Sequence, residues 1–446
     1  MALSGLDIFK KLPKMNCGDC GVPTCLAFAM KLAQSQAELS ACPHVSPEAA
    51  AELAESSAPP IRGVVIGVGD SAFKIGEETV LFRHEKTFVN PPALAATVDA
   101  GADDATVDAV LAEAKASDFE RVQMQLRIGC IAVRGNGDAE RFREVAEKAA
   151  ATQLPLVLMG SPAELEAAVA VVGNTRPLLH AATEETLDAM AALASANSCP
   201  LAVRAADLGT LASLAEKAAA AGVKDIVLDP APSSAGVALR DLVFIRRAAL
   251  KKSAAGLGYP VMLMTTDIAG DNEMLEAMIG SIGIMKYAGL IVLSRGEAWK
   301  TLPQLVLRQN IYTDPQRPMQ VEQGIYEIGN PGPDAPFIVT TNFSLTYFIV
   351  SSEIESSRVP AYLGIVDSEG LSVLTAWAAG KFVPDRIAPF VTKSGIADKV
   401  SHREVIIPGL VAQISGELKE NLDDWTVTVG PSEASELPVF LKRRAG

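Results

Sequence analysis

The chain has 446 residues, 49% of them hydrophobic, with a formal net charge of −14 and only four histidines. An acidic balance without a basic stripe argues against nucleic acid as a partner. No apolar run reaches the roughly 18–20 residues of a membrane span, and the first ten residues show neither an apolar signal core nor a twin arginine. A cytoplasmic protein of about three domains is expected.

The first segment, 1–57, holds four of the six cysteines: Cys17, Cys20, Cys25 and Cys42, spaced C-x2-C-x4-C-x16-C. Thiolates gathered this way repel one another unless a cation holds them. The binding energy of such a centre becomes folding energy for a segment too small to have much core of its own. Tetrahedral zinc and iron–sulfur clusters both take four thiolates. Here only the first pair forms a knuckle, and a helix from Leu26 to about Ser40 separates the two single cysteines. Gly18 and Gly21 let amides approach sulfur, and Pro43 follows the last ligand, as in ferredoxin-like runs. The pattern favours a four-iron four-sulfur cluster over zinc, and either over a pair of disulfides. His44 is a surplus ligand. Cys130 and Cys199 sit in apolar runs and read as packing residues. The cysteine usage suits a reducing, oxygen-poor compartment. The stretch 46–60, rich in Ala and Glu and ending in prolines, reads as a short helix and a linker.

The second segment, 58–325, alternates apolar strands with amphipathic helices. Strands are expected at Val64–Val68, Thr87–Val89, Arg121–Leu126, Leu154–Met159, Pro177–His180, Pro200–Val203, Asp225–Leu228, Val261–Met264 and Leu290–Leu293. Helices are expected at Asp138–Ala151, Pro162–Val172 and Asp207–Ala221. The runs lack alternation, as parallel strands covered on both faces do. With the first run assigned to an amino-terminal hairpin, eight βα units remain, the size of a (β/α)8 TIM-like barrel. Candidates at the carboxyl strand ends are His180, Arg204, Asp229, Thr265, Thr266, Asp267 and Arg295. They form no obvious acid/base pair, and a scaffold or docking role is expected. No His-x-x-His pair, Gly-x-Ser-x-Gly elbow or Walker loop occurs, and Gly67-Val-Gly69 reads as a turn.

The third segment, 326–446, follows the breaker cluster Gly329–Pro336. Strands at Phe337–Thr341, Tyr362–Asp367, Val405–Ile407 and Thr426–Val429 alternate with helices at Phe343–Glu353, Leu371–Ala379, Pro384–Thr392 and Val411–Leu422. This is a small open, doubly wound α/β sheet of Rossmann or flavodoxin type, whose ligands bind at the carboxyl edge of the strands. The loops assigned to that edge are rich in small hydroxyl residues: Thr340, Thr341, Asn342 and Ser344; Asp367, Gly370, Leu371 and Ser372; Gly395 and Ile396; Pro408 and Gly409. They leave room for a flat, bulky cofactor while offering hydrogen bonds.

Cluster arm, barrel and nucleotide-type fold, in that order, resemble the large (gamma) subunit of the corrinoid iron–sulfur protein of the reductive acetyl-CoA pathway. The marks are Asn16-Cys-Gly-Asp-Cys-Gly-Val-Pro-Thr-Cys-Leu-Ala-Phe-Ala-Met30, Phe82-Arg-His-Glu-Lys-Thr-Phe88 and Val339-Thr-Thr-Asn-Phe-Ser-Leu-Thr-Tyr347. The resemblance implies a methyl carrier. A cobamide in the carboxyl-terminal domain would accept a methyl group from methyltetrahydrofolate through a separate methyltransferase and pass it to acetyl-CoA synthase/CO dehydrogenase. The cluster, fed by a low-potential electron donor, would reduce cobalt(II) to cobalt(I). A small subunit would cover the other corrin face in a heterodimer. The Asp-x-His-x-x-Gly motif that supplies a cobalt ligand elsewhere is missing: the corresponding loop is Asp367-Ser-Glu-Gly-Leu371. The resemblance therefore implies a base-off cobamide with Ser372, Val373, Leu374 and Thr375 near its lower face. Two other readings stay open: an iron–sulfur activator of another corrinoid protein, and a pterin-dependent barrel methyltransferase.

Overall fold

The computed structural model describes residues 5–33, 37, 39–46, 49, 53, 59–252, 254–314 and 318–445. Most of the 46–60 stretch lies outside them. Two compact units are formed, Met1–Phe119 with Leu126–Tyr312, and Glu120–Gln125 with Thr313–Gly446.

The first unit begins with helices Gly5–Lys11 and Cys25–Ala33. Ile8, Leu12, Val22, Cys25, Phe28, Ala29 and Leu53 bury one small cluster between them. A hairpin of β1 (Val64–Ile66) and β2 (Phe73–Ile75) follows. The barrel strands are β3 (Ala93–Asp99), then, after a two-stranded sheet of β4 (Asp118–Arg121) and β5 (Met124–Arg127), β6 (Cys130–Arg134), β7 (Leu156–Met159), β8 (Leu178–Ala182), β9 (Leu201–Arg204), β10 (Ile226–Asp229), β11 (Val261–Met264) and β12 (Ala288–Leu293). The eight pair in chain order, all parallel, and β12 closes on β3. Alternate residues divide the two faces. Leu94, Ile131, Leu158, Leu201, Leu228 and Leu263 pack outward against the helices. Ala95, Ala132, Val157, Leu178, Ala202, Val227 and Met262 fill the interior, together with Val64, Ile66 and Ile75 of the hairpin. The hairpin seals the amino end: a Cβ on Gly289, at the start of β12, would meet Ile75 at 3.0 Å.

Two expected strands are displaced. Thr87–Val89 is irregular. Phe88 packs on the rings of Tyr287 and Tyr312, and Pro91-Pro92 then breaks the chain before the true strand β3. Arg121–Leu126 is no barrel strand, because Val122 and Gln123 both have positive φ, the geometry of a tight hairpin turn. The barrel strand is β6, which begins at Cys130, just beyond β5. Cys130 and Cys199 are buried as expected; burial pushes the Cys130 thiol well up and that of Cys199 to about 11.

In the second unit, β13 (Gly324–Ile328), β14 (Phe337–Thr341), β15 (Ala361–Val366), β16 (Glu404–Ile407) and β17 (Thr426–Val429) form one sheet in the order β13-β15-β14-β16-β17. All neighbours are parallel except β13, an antiparallel edge strand that sequence reasoning missed. Both faces are covered. Helices Val373–Ala378, Pro384–Lys393 and Ser415–Asn421 lie over the core of Phe337, Val339, Val405 and Ile407. Helices Ser344–Ser357 and Leu437–Ala445 cover Ile338, Leu363 and Ile406. Among the described residues no helix is long and apolar enough to cross a membrane.

Candidate functional site

In the amino-terminal arm the loop before Cys25 is shaped by left-handed residues. Asn16, Gly18 and Gly21 have φ of 50°, 81° and 75°, and the Gly21 amide donates to the Gly18 carbonyl at 2.9 Å. A Cβ at either glycine would meet nothing within 4 Å, so the demand is conformational. Asn16 braces the turn: its Oδ1 accepts from the Cys25 amide at 2.8 Å, and its own amide points at the Cys25 sulfur at 3.4 Å. Cys25 is buried at the first position of its helix, Cys20 and Cys42 are half-buried against the same apolar cluster, and Cys17 is exposed. All four thiols are free.

His44 is tied to this loop. Its Nε2 lies 2.6 Å from Asp19 Oδ2. The bond from His44, then one from Cys17, hold the Asp19 carboxyl below its ordinary value. Cys17, Asp19 and His44 bring their donor atoms within 4.8 Å of one another. Four sulfurs on one zinc at 2.3 Å would be about 3.8 Å apart. No three of the four cysteine sulfurs come within 4.8 Å of one another among the described residues. The donor chemistry fits an all-thiolate centre.

At the carboxyl edge of the second unit's sheet lies a cavity of about 300 Å³, within the range of small-molecule sites. Val339 and Thr340 at the end of β14, Ser372, Val373 and Leu374 after β15, Pro408 after β16 and Gly430 after β17 all line it. The Thr340 and Thr341 hydroxyls are buried without a hydrogen-bond partner. Such orphaned groups are costly unless something satisfies them; Thr340 lines the cavity, where a bound cofactor suits its hydroxyl, whereas Thr341 does not line it.

Asn342 and Asp367 do a different job. Asn342 Oδ1 accepts from the Ser368 amide at 3.0 Å, the Ser368 hydroxyl at 2.8 Å and the Gly370 amide at 2.9 Å. Its Nδ2 donates to Asp367 Oδ1 at 2.9 Å and Gln320 Oε1 at 3.3 Å. Asp367 Oδ1 also accepts from the Glu369 amide at 3.0 Å. The two residues hold the loop that delivers Ser372 to the cavity. Gly370 has φ of 75°, and a Cβ there would meet Gln320 at 2.8 Å. Ser372 and Thr375 join hydroxyls at 3.1 Å, and Thr375 is exposed. Leu371 is half-buried against the core, and the Ser344 amide donates to the Met319 carbonyl. Gly409 is required by close approach: a Cβ would meet the Gly430 carbonyl at 2.6 Å.

Gly395 and Ile396 are not brought to the cavity. Gly395 is exposed and left-handed, and Ile396 is buried in the core, on a turn that leads into the amino end of β16. His402 is half-buried. Its Nε2 lies 2.9 Å from the Ala335 carbonyl and its Nδ1 accepts from the Glu404 amide at 3.2 Å, so both ring nitrogens are engaged. Sequence reasoning missed the wall formed by Thr346 and Ile349 of helix Ser344–Ser357 and the loop Gly430–Ala434. The run Gly430-Pro431-Ser432 after β17 carries the same small-polar signal as the loops that were recognised.

The barrel-mouth candidates form two networks. Asp229 is wholly buried, with His180 Nε2 at 2.8 Å and Arg204 Nη1 donating at 2.6 Å. Burial works to raise its carboxyl, but the bond from His180 and the Arg204 charge hold it below the ordinary value. Arg204 Nη2 donates to Asp267 at 2.6 Å, and Arg134 Nη2 to the Thr266 hydroxyl at 3.1 Å. Separately, Thr265 and buried Lys300 both bond to buried Glu276, Lys300 at 2.7 Å, while Arg295 pairs with Glu113 at 2.9 Å.

Residues 63–441 match a family model described as CO dehydrogenase/acetyl-CoA synthase delta subunit, and residues 12–44 one described as a putative Fe-S cluster. The corrinoid/iron-sulfur protein large subunit of Moorella thermoacetica is 46% identical over 445 residues, 99% of each chain. The acetyl-CoA decarbonylase/synthase complex gamma subunit of Methanothermobacter thermautotrophicus is 34% identical over 100% of both chains. That of Archaeoglobus fulgidus is 36% identical over 99% of this chain and 98% of its own. These full-length matches run through the cysteine arm, the barrel and the terminal sheet alike. The chain therefore belongs to the family of corrinoid/iron–sulfur protein large subunits and acetyl-CoA decarbonylase/synthase gamma subunits.

Proposed function

We propose that the chain is a methyl carrier. It takes a methyl group from methyltetrahydrofolate through a separate methyltransferase and passes it to acetyl-CoA synthase. The cofactors are a four-iron four-sulfur cluster on Cys17, Cys20, Cys25 and Cys42 and a base-off cobamide in the domain 326–446. When bound, the cobamide supplies a cobalt nucleophile that accepts and releases the methyl group, and the cluster supplies the electron that restores it after oxidation.

The chain's own residues do the holding. Thr340 and Ser372 offer hydroxyls at the cavity, Val373, Leu374 and Pro408 offer apolar walls, and Asn342 with Asp367 sets the loop that presents them. Neither nitrogen of His402 is free to serve as an axial ligand. The names of the relatives, a large subunit and complex subunits, support a small-subunit partner and an acetyl-CoA synthase complex.

The observation that carries this reading is the cavity at the carboxyl edge, lined from four successive strand ends. An activator that only passes electrons has no use for it. Metal analysis and a visible spectrum of the complex purified without oxygen test it. About four iron atoms and one cobalt per chain are expected. Iron without cobalt would establish the activator instead, and turnover of methyltetrahydrofolate by this chain alone would establish a methyltransferase.

A further inference from the structure

The barrel interior changes character along its axis. Ala132, Leu178, Ala202 and Val227 are apolar and buried. Two residues further along the same strands, on the same inward face, stand Arg134, His180, Arg204 and Asp229. Packing alone would continue with branched aliphatic residues, and charged groups at this end of a barrel are where such folds bind and act.

The charged layer reaches across the mouth. Arg134, at the end of β6, donates to Thr266, and Arg204, at the end of β9, donates to Asp267. The short turn Thr266–Ala269 is thus held by arginines from two separated strands. The members differ in kind. Asp229 is wholly buried, and its two oxygens are taken by His180, Arg204 and the Ala231 amide at 3.0 Å. It is a fixture that aims Arg204. Asp267 has a side chain 34% exposed, on a four-residue turn ended by Gly270 at φ +54°. It can leave without uncovering a buried charge of its own. Arg134 has a neutral hydroxyl for a partner where a guanidinium fits a carboxylate or phosphate in bidentate fashion.

We propose that this mouth binds a small molecule bearing an oxyanion, carboxylate or phosphate, received by Arg134 and Arg204, and that Asp267 fills the anion's place when no ligand is bound. Met159 and Met264, both buried, form a soft apolar flank beside it. The site is independent of the carrier reading, because it lies in the barrel unit and uses none of the cofactor residues.

Titration calorimetry on the cofactor-loaded complex tests it, at fixed ionic strength, with inorganic phosphate and succinate as probes and chloride as control. One saturable site is expected for at least one probe, and the tighter probe identifies the head group. Asp267→Asn removes the internal competitor and should tighten that probe at least tenfold. Arg134→Gln, at a half-buried position the barrel does not need for packing, should weaken it at least tenfold. Absence of saturable heat in both wild type and Asp267→Asn would overturn the proposal. So would binding indifferent to Arg134→Gln in a variant whose circular dichroism matches the wild type.

Discussion

Replacing Asn342 by alanine removes the centre of the loop that faces the cavity. Five hydrogen bonds end on this side chain. Some groups find other partners: the Ser368 hydroxyl keeps the Leu371 carbonyl at 3.0 Å, and Asp367 keeps the Glu369 amide. The amides of Ser368 and Gly370 do not, and both residues are buried. An orphaned buried donor costs about 1–3 kcal/mol, so with two of them Asn342→Ala should destabilise the second unit by about 2–6 kcal/mol. Asn342→Asp separates shape from charge. It keeps the acceptor but sets a second carboxylate 2.9 Å from Asp367 in place of the Nδ2 donor. Like charges raise the pair's protonation range in the folded state above that of the unfolded chain. The variant is therefore least stable at neutral pH and recovers as pH falls and one carboxylate takes up a proton. Urea unfolding followed by tryptophan fluorescence, with cobalt content measured in parallel, reads both effects. An alanine variant within about 0.5 kcal/mol of wild type and with full cobalt would refute the reasoning, since surface changes alone stay in that range.

Cys20→Ala should abolish the cluster, read as lost iron and lost visible absorbance, while barrel secondary structure and cobalt content persist. Lys300→Met strands the carboxylate of Glu276, which bonds from Lys300 and Ser294 now hold below its ordinary value against the pull of burial. A cost of about 3–5 kcal/mol is expected in denaturant unfolding, most of it recovered in Lys300→Met with Glu276→Leu. Asp229 has a folded value below its unfolded one, so it contributes stability above the ordinary aspartate range that is lost as pH falls through the folded value. Acid titration of Asp229→Asn should accordingly show a shallower stability loss in that window. Paramagnetic resonance of the cobalt(II) state should show no axial-nitrogen splitting and no change in His402→Ala; a nitrogen triplet would rule out the base-off assignment.

The strands of the second unit could be read from sequence because Phe337–Thr341 and Thr426–Val429 are β-branched runs between clear breakers. β3 was hidden because Ala93-Leu-Ala-Ala-Thr-Val-Asp99 is poor in strand formers; Ala93 and Ala95 suit the narrow barrel interior rather than strand propensity, while Ala96 packs outward under the helices. Composition flagged the small-polar loops but could not distinguish a hydroxyl waiting for a ligand, as on Thr340, from polar atoms spent on one another, as between Asn342 and Asp367. The loop at Gly395 misled because it follows the helix Pro384–Lys393 and leads through the short turn Ile396–Lys399 into the amino end of β16, so it lies at the edge opposite the strand-end loops. The barrel-mouth network was invisible as a pattern, since His180, Arg204, Asp229 and Asp267 are far apart in sequence and meet only when β8, β9, β10 and β11 pair side by side.

The graded burial of the four thiols gives the arm a direction. Cys25 is walled in by Phe28 and its neighbours, while Cys17 faces solvent. Any centre they hold would be most open at Cys17 and most enclosed at Cys25, with Cys20 and Cys42 between the two. Electron transfer weakens with distance, so a redox centre held here would exchange electrons most readily with a partner on the Cys17 side. The same apolar wall that gives the little arm its fold would then make the contact one-sided, with orientation deciding which partner reaches it.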